Sequence, residues 1–362
     1  MSWKSELKRR ITGRAELEKI VNLTPEEAAW FEKAQGFRKG GGQDELLFPL
    51  CVPRGFLLLA GPGADDPIRR QCIPRAEEFR LSPGELHDPL GDKAHSPLSR
   101  LVHRYADRAL VLVTGECALS CRYCFRRYYS GGGKGSISEP ETGAIAEYLK
   151  SRPAIREVIL SGGDPLTVDD QRLFSLIDTL RAARPGLILR LSSRMPSALP
   201  SRITPSLCRG LARRQPLWGV VHINHPKEFS PACSGALRRL VSSGVPLLGQ
   251  TVLLAGVNDD AAVLEELFRG LAARGVKPYY LFQGDMAPGT AHFRVPLPRG
   301  WEIMRALRKR LSALALPEYA VDLPGGGGKV PLATEYLKGE DEDFWIFENI
   351  EGKEFRYPRE KT

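Results

Sequence analysis

The sequence predicts an α/β protein: a partial (β/α) TIM-like barrel with a helical N-terminal extension and a short C-terminal tail. Two observations carry this. From about residue 108, short β-rich apolar runs alternate with stretches of helical periodicity, the pattern of parallel β–α units. Polar or glycine-rich motifs recur just after the strand candidates. In a β/α barrel those strand ends share one face, where an active site is built.

Residues 1–100 read as a mostly helical lead-in. Thr24-Pro25-Glu26-Glu27 is a helix start: Thr24 can cap, Pro25 suits the first helical position and Glu27 can reach back. Residues 36–43 (GFRKGGGQ) and 61–67 (GPGADDP) are breaks. The catalytic unit spans 101–337. Its strand candidates are 109–115, 156–162, 187–193, 217–224, 246–254, 277–283 and 319–324, with helical patterns around 139–151, 169–183, 231–243, 259–273 and 299–314. The tail, 338–362, is acidic then aromatic-rich (EDEDFWIF) and suits a short hairpin or an intersubunit arm.

Net charge is +9, but the basic residues are scattered, so handling of anionic cofactors explains it without a nucleic-acid partner. No apolar run approaches the ~18 residues of a membrane span. The N-terminus is basic but lacks the apolar core of a secretory signal. No membrane association and a cytoplasmic address are expected. Seven cysteines, an odd number, argue for reduced thiols. Four of them (Cys51, Cys72, Cys208 and Cys233) read as small buried hydrophobes.

The other three are Cys117, Cys121 and Cys124, spaced C-x3-C-x2-C on one loop. Three thiolates so placed can hold three corners of a four-iron cluster, which normally takes four cysteines. The fourth iron stays open for a small molecule. Structural zinc would call for four closed ligands, usually in separated pairs. Ser161-Gly162-Gly163-Asp164-Pro165 follows the next strand, and its glycines permit close backbone approach. Pro324-Gly325-Gly326-Gly327-Gly328-Lys329 is not a Walker phosphate loop, because Leu323 and Val330 stand where that loop needs Gly and Ser or Thr. It leaves a lone lysine on a mobile glycine loop. Such a lysine is either a surface feature or a carrier of pyridoxal phosphate.

The cysteine loop, with Tyr123 before its last cysteine, resembles that of the radical S-adenosylmethionine enzymes. The resemblance implies a [4Fe-4S] cluster whose open iron binds S-adenosylmethionine, the radical SAM type of partial barrel, and an electron donor such as flavodoxin or ferredoxin. Gly162, Gly163 and Asp164 match that family's Gly-Gly-acidic element. From about residue 100 to 337 the chain further resembles the lysine 2,3-aminomutase family. HRYADR, the cysteine loop with Arg126-Arg127, SGGDPL, SRMP, RITP, HINHPKE, QTVLLAGVND, PYYLFQGD, AHFRVPL and DLPGGGGK agree in order and spacing.

This second resemblance implies that Lys329 carries pyridoxal 5′-phosphate and that Arg104 binds its phosphate. It implies that Arg126 binds the carboxylate of an amino acid substrate, and that Asp285 and Asp322 hold a distal ammonium. His222 and Gln250 are cofactor-site neighbours. The implied reaction is an isomerisation of L-lysine to β-lysine by migration of nitrogen from Cα to Cβ, in a homo-oligomer. Alternatives are a β-lysine-forming enzyme serving elongation factor P, which CRYCFRR resembles, a mutase for arginine or another amino acid, and a non-catalytic iron–sulfur sensor. Asp260 stands where some lysine mutases carry a zinc-binding cysteine, and no cysteine follows Cys233. Structural zinc is therefore not expected.

Overall fold

The computed structural model describes residues 2–39, 47–130, 135–333, 336–342, 344–349 and 351–358. Its centre is a nine-stranded sheet in simple chain order. The strands are β1 (Leu101–Tyr105), β2 (Arg108–Thr114), β3 (Glu157–Gly162), β4 (Ile188–Ser193), β5 (Trp218–His222), β6 (Leu247–Val252), β7 (Val276–Phe282), β8 (Glu318–Leu323) and β9 (Gly328–Pro331). Strands β2 to β8 run parallel, while β1 and β9 are antiparallel edges. Since β1 and β9 are not paired to each other, this is the expected partial barrel.

The strands are short, and β3, β4 and β6 alternate residue by residue between buried and more open positions. In β3, Val158 and Leu160 are fully buried, whereas Ile159 and Ser161 line the cavity inside the curve. The outward set packs on helices that bring leucines to the same core, such as Leu173, Ile177 and Leu180 from the helix Asp170–Ala183 and Leu264, Leu267 and Leu271 from Ala261–Ala272. Burying such side chains contributes about 1.5–3 kcal/mol each.

The helix starts follow their local chemistry. Ser138 and Glu141 form a reciprocal capping box ahead of Glu139–Lys150. Asp260 caps Ala261–Ala272 by accepting from Ala262 and Val263 N–H groups. That gives it a structural task of its own.

The sequence reading needs several corrections. The lead-in is less helical than expected: most of its helices are single turns, joined by irregular chain. The exception is Pro25–Lys39, where Thr24 and Glu27 cap as anticipated. The break at 36–43 begins inside that helix and then leaves the described residues; the break at 61–67 holds. The helix Pro205–Ala212, strand β1 and strand β9 had no counterpart in the sequence reading. The tail is a three-stranded antiparallel sheet of β10 (Leu337–Glu340), β11 (Phe344–Glu348) and β12 (Glu354–Pro358), not a simple hairpin. Among the described residues no helix is long and apolar enough to cross a membrane.

Candidate active site

The strand ends open into a cavity of about 350 Å³. Every residue singled out from the sequence lines it: the three clustered cysteines, Gly162, Gly163, Asp164, His222, Gln250, Arg104, Arg126, Asp285, Asp322 and Lys329. His222 and Gln250 are register partners across β5 and β6.

The cysteine loop leaves the end of β2 and is clamped by the N-terminal extension. Ser120 N–H donates to the Cys51 carbonyl, and Arg122 N–H to that of Gln71. Arg122, fully buried, donates to Glu78 through Nε at 2.8 Å and to the Phe48 carbonyl at 2.9 Å. Arg127 joins the same Glu78 carboxylate at 3.2 Å and reaches the Pro288 carbonyl. Glu78 thus neutralises two buried guanidinium groups that flank the cysteines. Glu78→Ala strands both, and is expected to cost about 3–5 kcal/mol of stability. Thermal unfolding measures this; an unchanged midpoint would refute the clamp.

Burial pushes the Cys124 thiol up to about 11, and burial reinforced by the charges of Cys124 and Asp164 pushes Cys117 well above its ordinary value. Cys117 and Cys124 are therefore neutral thiols at physiological pH in the bare loop, and loading metal must displace their protons. Among the described residues no three His, Cys, Asp or Glu side chains gather closely enough to hold a single ion. The three cysteines line one cavity, and thiols so placed suit a cluster with irons at separate corners. Arg194 donates to Cys121 Sγ at 2.9 Å and to Gln71 Oε1 at 2.7 Å. It also donates to the Tyr123 hydroxyl, which in turn reaches His222 Nε2 at 2.7 Å. Burial, and then the Arg194 charge, hold His222 well below its ordinary pKa, so its neutral ring can accept that bond.

The glycine pair serves close packing. Gly162 has φ +116°, and a Cβ there would stand 2.6 Å from the Thr114 carbonyl; one on Gly163 would stand 2.4 Å from that of Glu116. No larger residue lets the end of β3 lie on the cysteine loop. The buried Asp164 carboxylate accepts from Ser193 Oγ at 2.8 Å and from Arg194 N–H at 2.7 Å. It ties the ends of β3 and β4 together at the cavity wall.

At the other end of the strand order, β8 and β9 bring Asp322 opposite Lys329. Lys329 Nζ donates to Asp322 Oδ2 at 2.7 Å. Lys329 therefore sits on a strand, not on a free loop, and its own N–H donates to the Tyr105 hydroxyl at 2.9 Å. The turn before it needs glycine: Gly325 and Gly326 have φ +69° and +90°. Burial lowers the Lys329 amine below its ordinary pKa despite the neighbouring Asp322 and Asp285. Burial and the Asp322 charge raise Asp285 to about 7.

Arg126 and Arg104 share one partner that sequence reasoning missed. Asp92 accepts from Arg126 Nε at 2.9 Å and from the Tyr128 hydroxyl at 3.0 Å, and Arg104 Nη2 stands 3.8 Å from it. Its segment also braces the glycine turn, since Gly325 N–H donates to the Pro89 carbonyl. Arg104 Nε and Nη1 are buried with no protein acceptor. Orphaned guanidinium donors beside a cavity fit a phosphate, and Arg108 and Tyr105 line the same cavity, both guanidinium groups standing over the Tyr105 ring. Glu78, Asp92 and Arg194 complete the site. Of these, only Arg194 lay in a motif that the sequence marked.

Comparison with known proteins gives the arrangement its family. Residues 111–206 match the model described as Radical SAM superfamily, and 304–362 that described as Lysine-2,3-aminomutase. The first implies S-adenosylmethionine and a [4Fe-4S] cluster, for which the cysteine loop provides fitting thiols. The L-lysine 2,3-aminomutase of Fusobacterium nucleatum is 38% identical over 97% of this chain and 80% of its own length. That of Clostridium subterminale is 38% identical, covering 97% and 82%. A glutamate 2,3-aminomutase of Clostridioides difficile is 35% identical, covering 97% and 81%. With a cysteine loop, a paired lysine and such relatives along nearly its whole length, the chain belongs to the lysine 2,3-aminomutase family of radical S-adenosylmethionine isomerases.

Proposed function

We propose that this enzyme converts L-lysine to β-lysine. One observation carries the reading: an alkylammonium, that of Lys329, is already held by Asp322 beside Asp285, in a cavity that also contains the Arg126 guanidinium. Arg126 suits an α-carboxylate and the acid pair a distal ammonium. A distal carboxylate, as in glutamate, would meet two like charges and be rejected.

Cys117, Cys121 and Cys124 would hold the cluster, with S-adenosylmethionine between the Gly162-Gly163 turn and the His222/Gln250 pair. Lys329 would hold pyridoxal phosphate through its Nζ, with Arg104 and Arg108 toward the phosphate. When bound, these groups supply a radical able to remove hydrogen from the β-carbon and a carbonyl that carries the migrating nitrogen. The chain's own residues position the substrate. Asp92 fixes the edge of Arg126, so one end of the amino acid is set by a guanidinium that cannot swing. Asp285 and Asp322 set the other end. A one-electron donor such as flavodoxin or ferredoxin would feed the cluster from outside.

The test is anaerobic reconstitution with pyridoxal phosphate, S-adenosylmethionine and reductant, followed by a screen of amino acids for β-isomers. β-Lysine from lysine is the expected result. Loaded enzyme that makes none would refute the substrate assignment.

Binding should also depend on pH with a definite sign. Asp285 has a raised pKa of about 7, so it is protonated below that value and cannot then pair with an ammonium. KM for lysine should rise by about tenfold for each pH unit below that pKa and level off above it. Asp285→Asn should raise KM and flatten the dependence. A wild-type KM constant across the same range would contradict the assignment.

A further inference from the structure

Lys329 is the only lysine among the described residues lining the cavity. Its amine is surrounded. Besides the 2.7 Å bond to Asp322, Nζ stands 3.7 Å from the ring centroid of Phe282 and 5.0 Å from that of Tyr280. Those rings stack on each other with centroids 4.9 Å apart, which fixes the π wall. The Asp285 carboxylate acts on both Lys329 and Asp322. One bonded carboxylate, two ring faces and a second carboxylate lining the same cavity make an ammonium cage. Lysine's distal end is a primary ammonium on a four-carbon stem. The side chain of Lys329 is chemically the same group.

Taking Asp285 and Asp322 as the distal-ammonium subsite, we propose that Phe282 and Tyr280 are its walls and that Lys329 occupies it as an intramolecular ligand. The subsite then opens to substrate only when the Lys329 amine is drawn away by covalent attachment to the cofactor. This rests on the reading of Lys329 as the cofactor lysine. It adds the aromatic walls to the specificity determinants and imposes an order, cofactor before substrate.

The physical basis is competition. A tethered ligand acts at a millimolar or higher effective concentration. A free alkylammonium must displace it from the same carboxylate and the same ring. An amine bonded to the cofactor's carbonyl carbon is held elsewhere and no longer competes. The cage also gives the lysine released during turnover a place to compete with product.

The experiment uses n-butylammonium, which has no carboxylate for Arg126, and titration calorimetry on the full chain with reconstituted cluster. Four forms are compared: wild type without pyridoxal phosphate, Lys329→Ala, Lys329→Gln, and wild type with the cofactor fixed on Lys329 by borohydride before reconstitution. The last form carries a stable secondary amine, so the probe cannot exchange with it. The expected result is at least about tenfold tighter binding in the last three forms. Asp322→Asn in the Lys329→Ala background should abolish the gain, and Phe282→Leu there should weaken it by about threefold or more.

Equal affinity in all four forms would overturn the proposal. So would absence of binding in both lysine variants when their circular dichroism and melting match wild type. Turnover of lysine is measured in parallel. Tighter probe binding without lysine turnover supports the cage and refutes the substrate reading; normal turnover with equal probe affinities does the reverse.

Discussion

Replacing Cys121 by alanine is expected to abolish radical formation, with cleavage of S-adenosylmethionine falling below about one per cent of wild type. In the proposed cluster each of the three thiols would serve one iron, and no other cysteine lines the cavity. Cys51 is the nearest substitute, but its Sγ donates to the Ala118 carbonyl at 3.4 Å and it does not line the cavity. Cys117→Ala and Cys124→Ala should behave alike. Iron and sulfide per chain after anaerobic reconstitution, and release of 5′-deoxyadenosine under reductant, measure the effect. Cys51→Ala is the contrasting variant and should retain both. Iron retained in Cys121→Ala but lost in Cys51→Ala would mean that the ligand set is wrong. Since burial holds Cys124 near 11, assembly releases protons, and cluster content should rise with pH across the neutral range.

The parts that the sequence made legible are those with local signals. Seven parallel strands announce themselves by β-rich apolar runs, because each must bury its outward side chains under a helix. The cysteine loop is legible because its three ligands lie within eight residues. The missed parts depend on distant partners. Strand β9, Gly-Lys-Val-Pro, has no β pattern; it is a strand because β8 offers its edge. Glu78 lies 44 residues from Arg122 along the chain, and Asp92 lies 34 from Arg126. Glu78 sits in the 3₁₀ turn Ala76–Phe79 and Asp92 in a turn outside any helix or strand, and neither stretch carries a local pattern that names its partner. Arg194 stood in a marked motif, but nothing local says that it meets Cys121 across 73 residues. Such pairings become visible only once the sheet has brought the strand ends together.

The N-terminal extension is therefore part of the site. It supplies Glu78 and Gln71 behind the cysteine loop and Asp92 behind Arg126. Residues 47–100 thus supply two carboxylates, Glu78 and Asp92, that no barrel strand carries.

Lys329→Ala should separate the two halves of the chemistry. The variant is expected to lose pyridoxal phosphate on gel filtration, together with its visible absorbance, and to lower kcat for β-lysine formation by about 10³-fold or more. Cluster content and uncoupled cleavage of S-adenosylmethionine should persist, because the thiols stand on the loop after β2 while Lys329 stands on β9. Lys277 provides the control. It lies on β7 with a lowered pKa from burial, yet its amine donates to the Pro278 and Leu316 carbonyls and it does not line the cavity. Lys277→Ala should keep both colour and turnover. Retention of turnover within tenfold by Lys329→Ala, or loss of colour in Lys277→Ala instead, would remove Lys329 from its assigned role. The expected asymmetry, with isomerisation lost and radical generation kept, would follow from the placing of the cysteine loop after β2 and of Lys329 on β9, toward opposite ends of one open sheet.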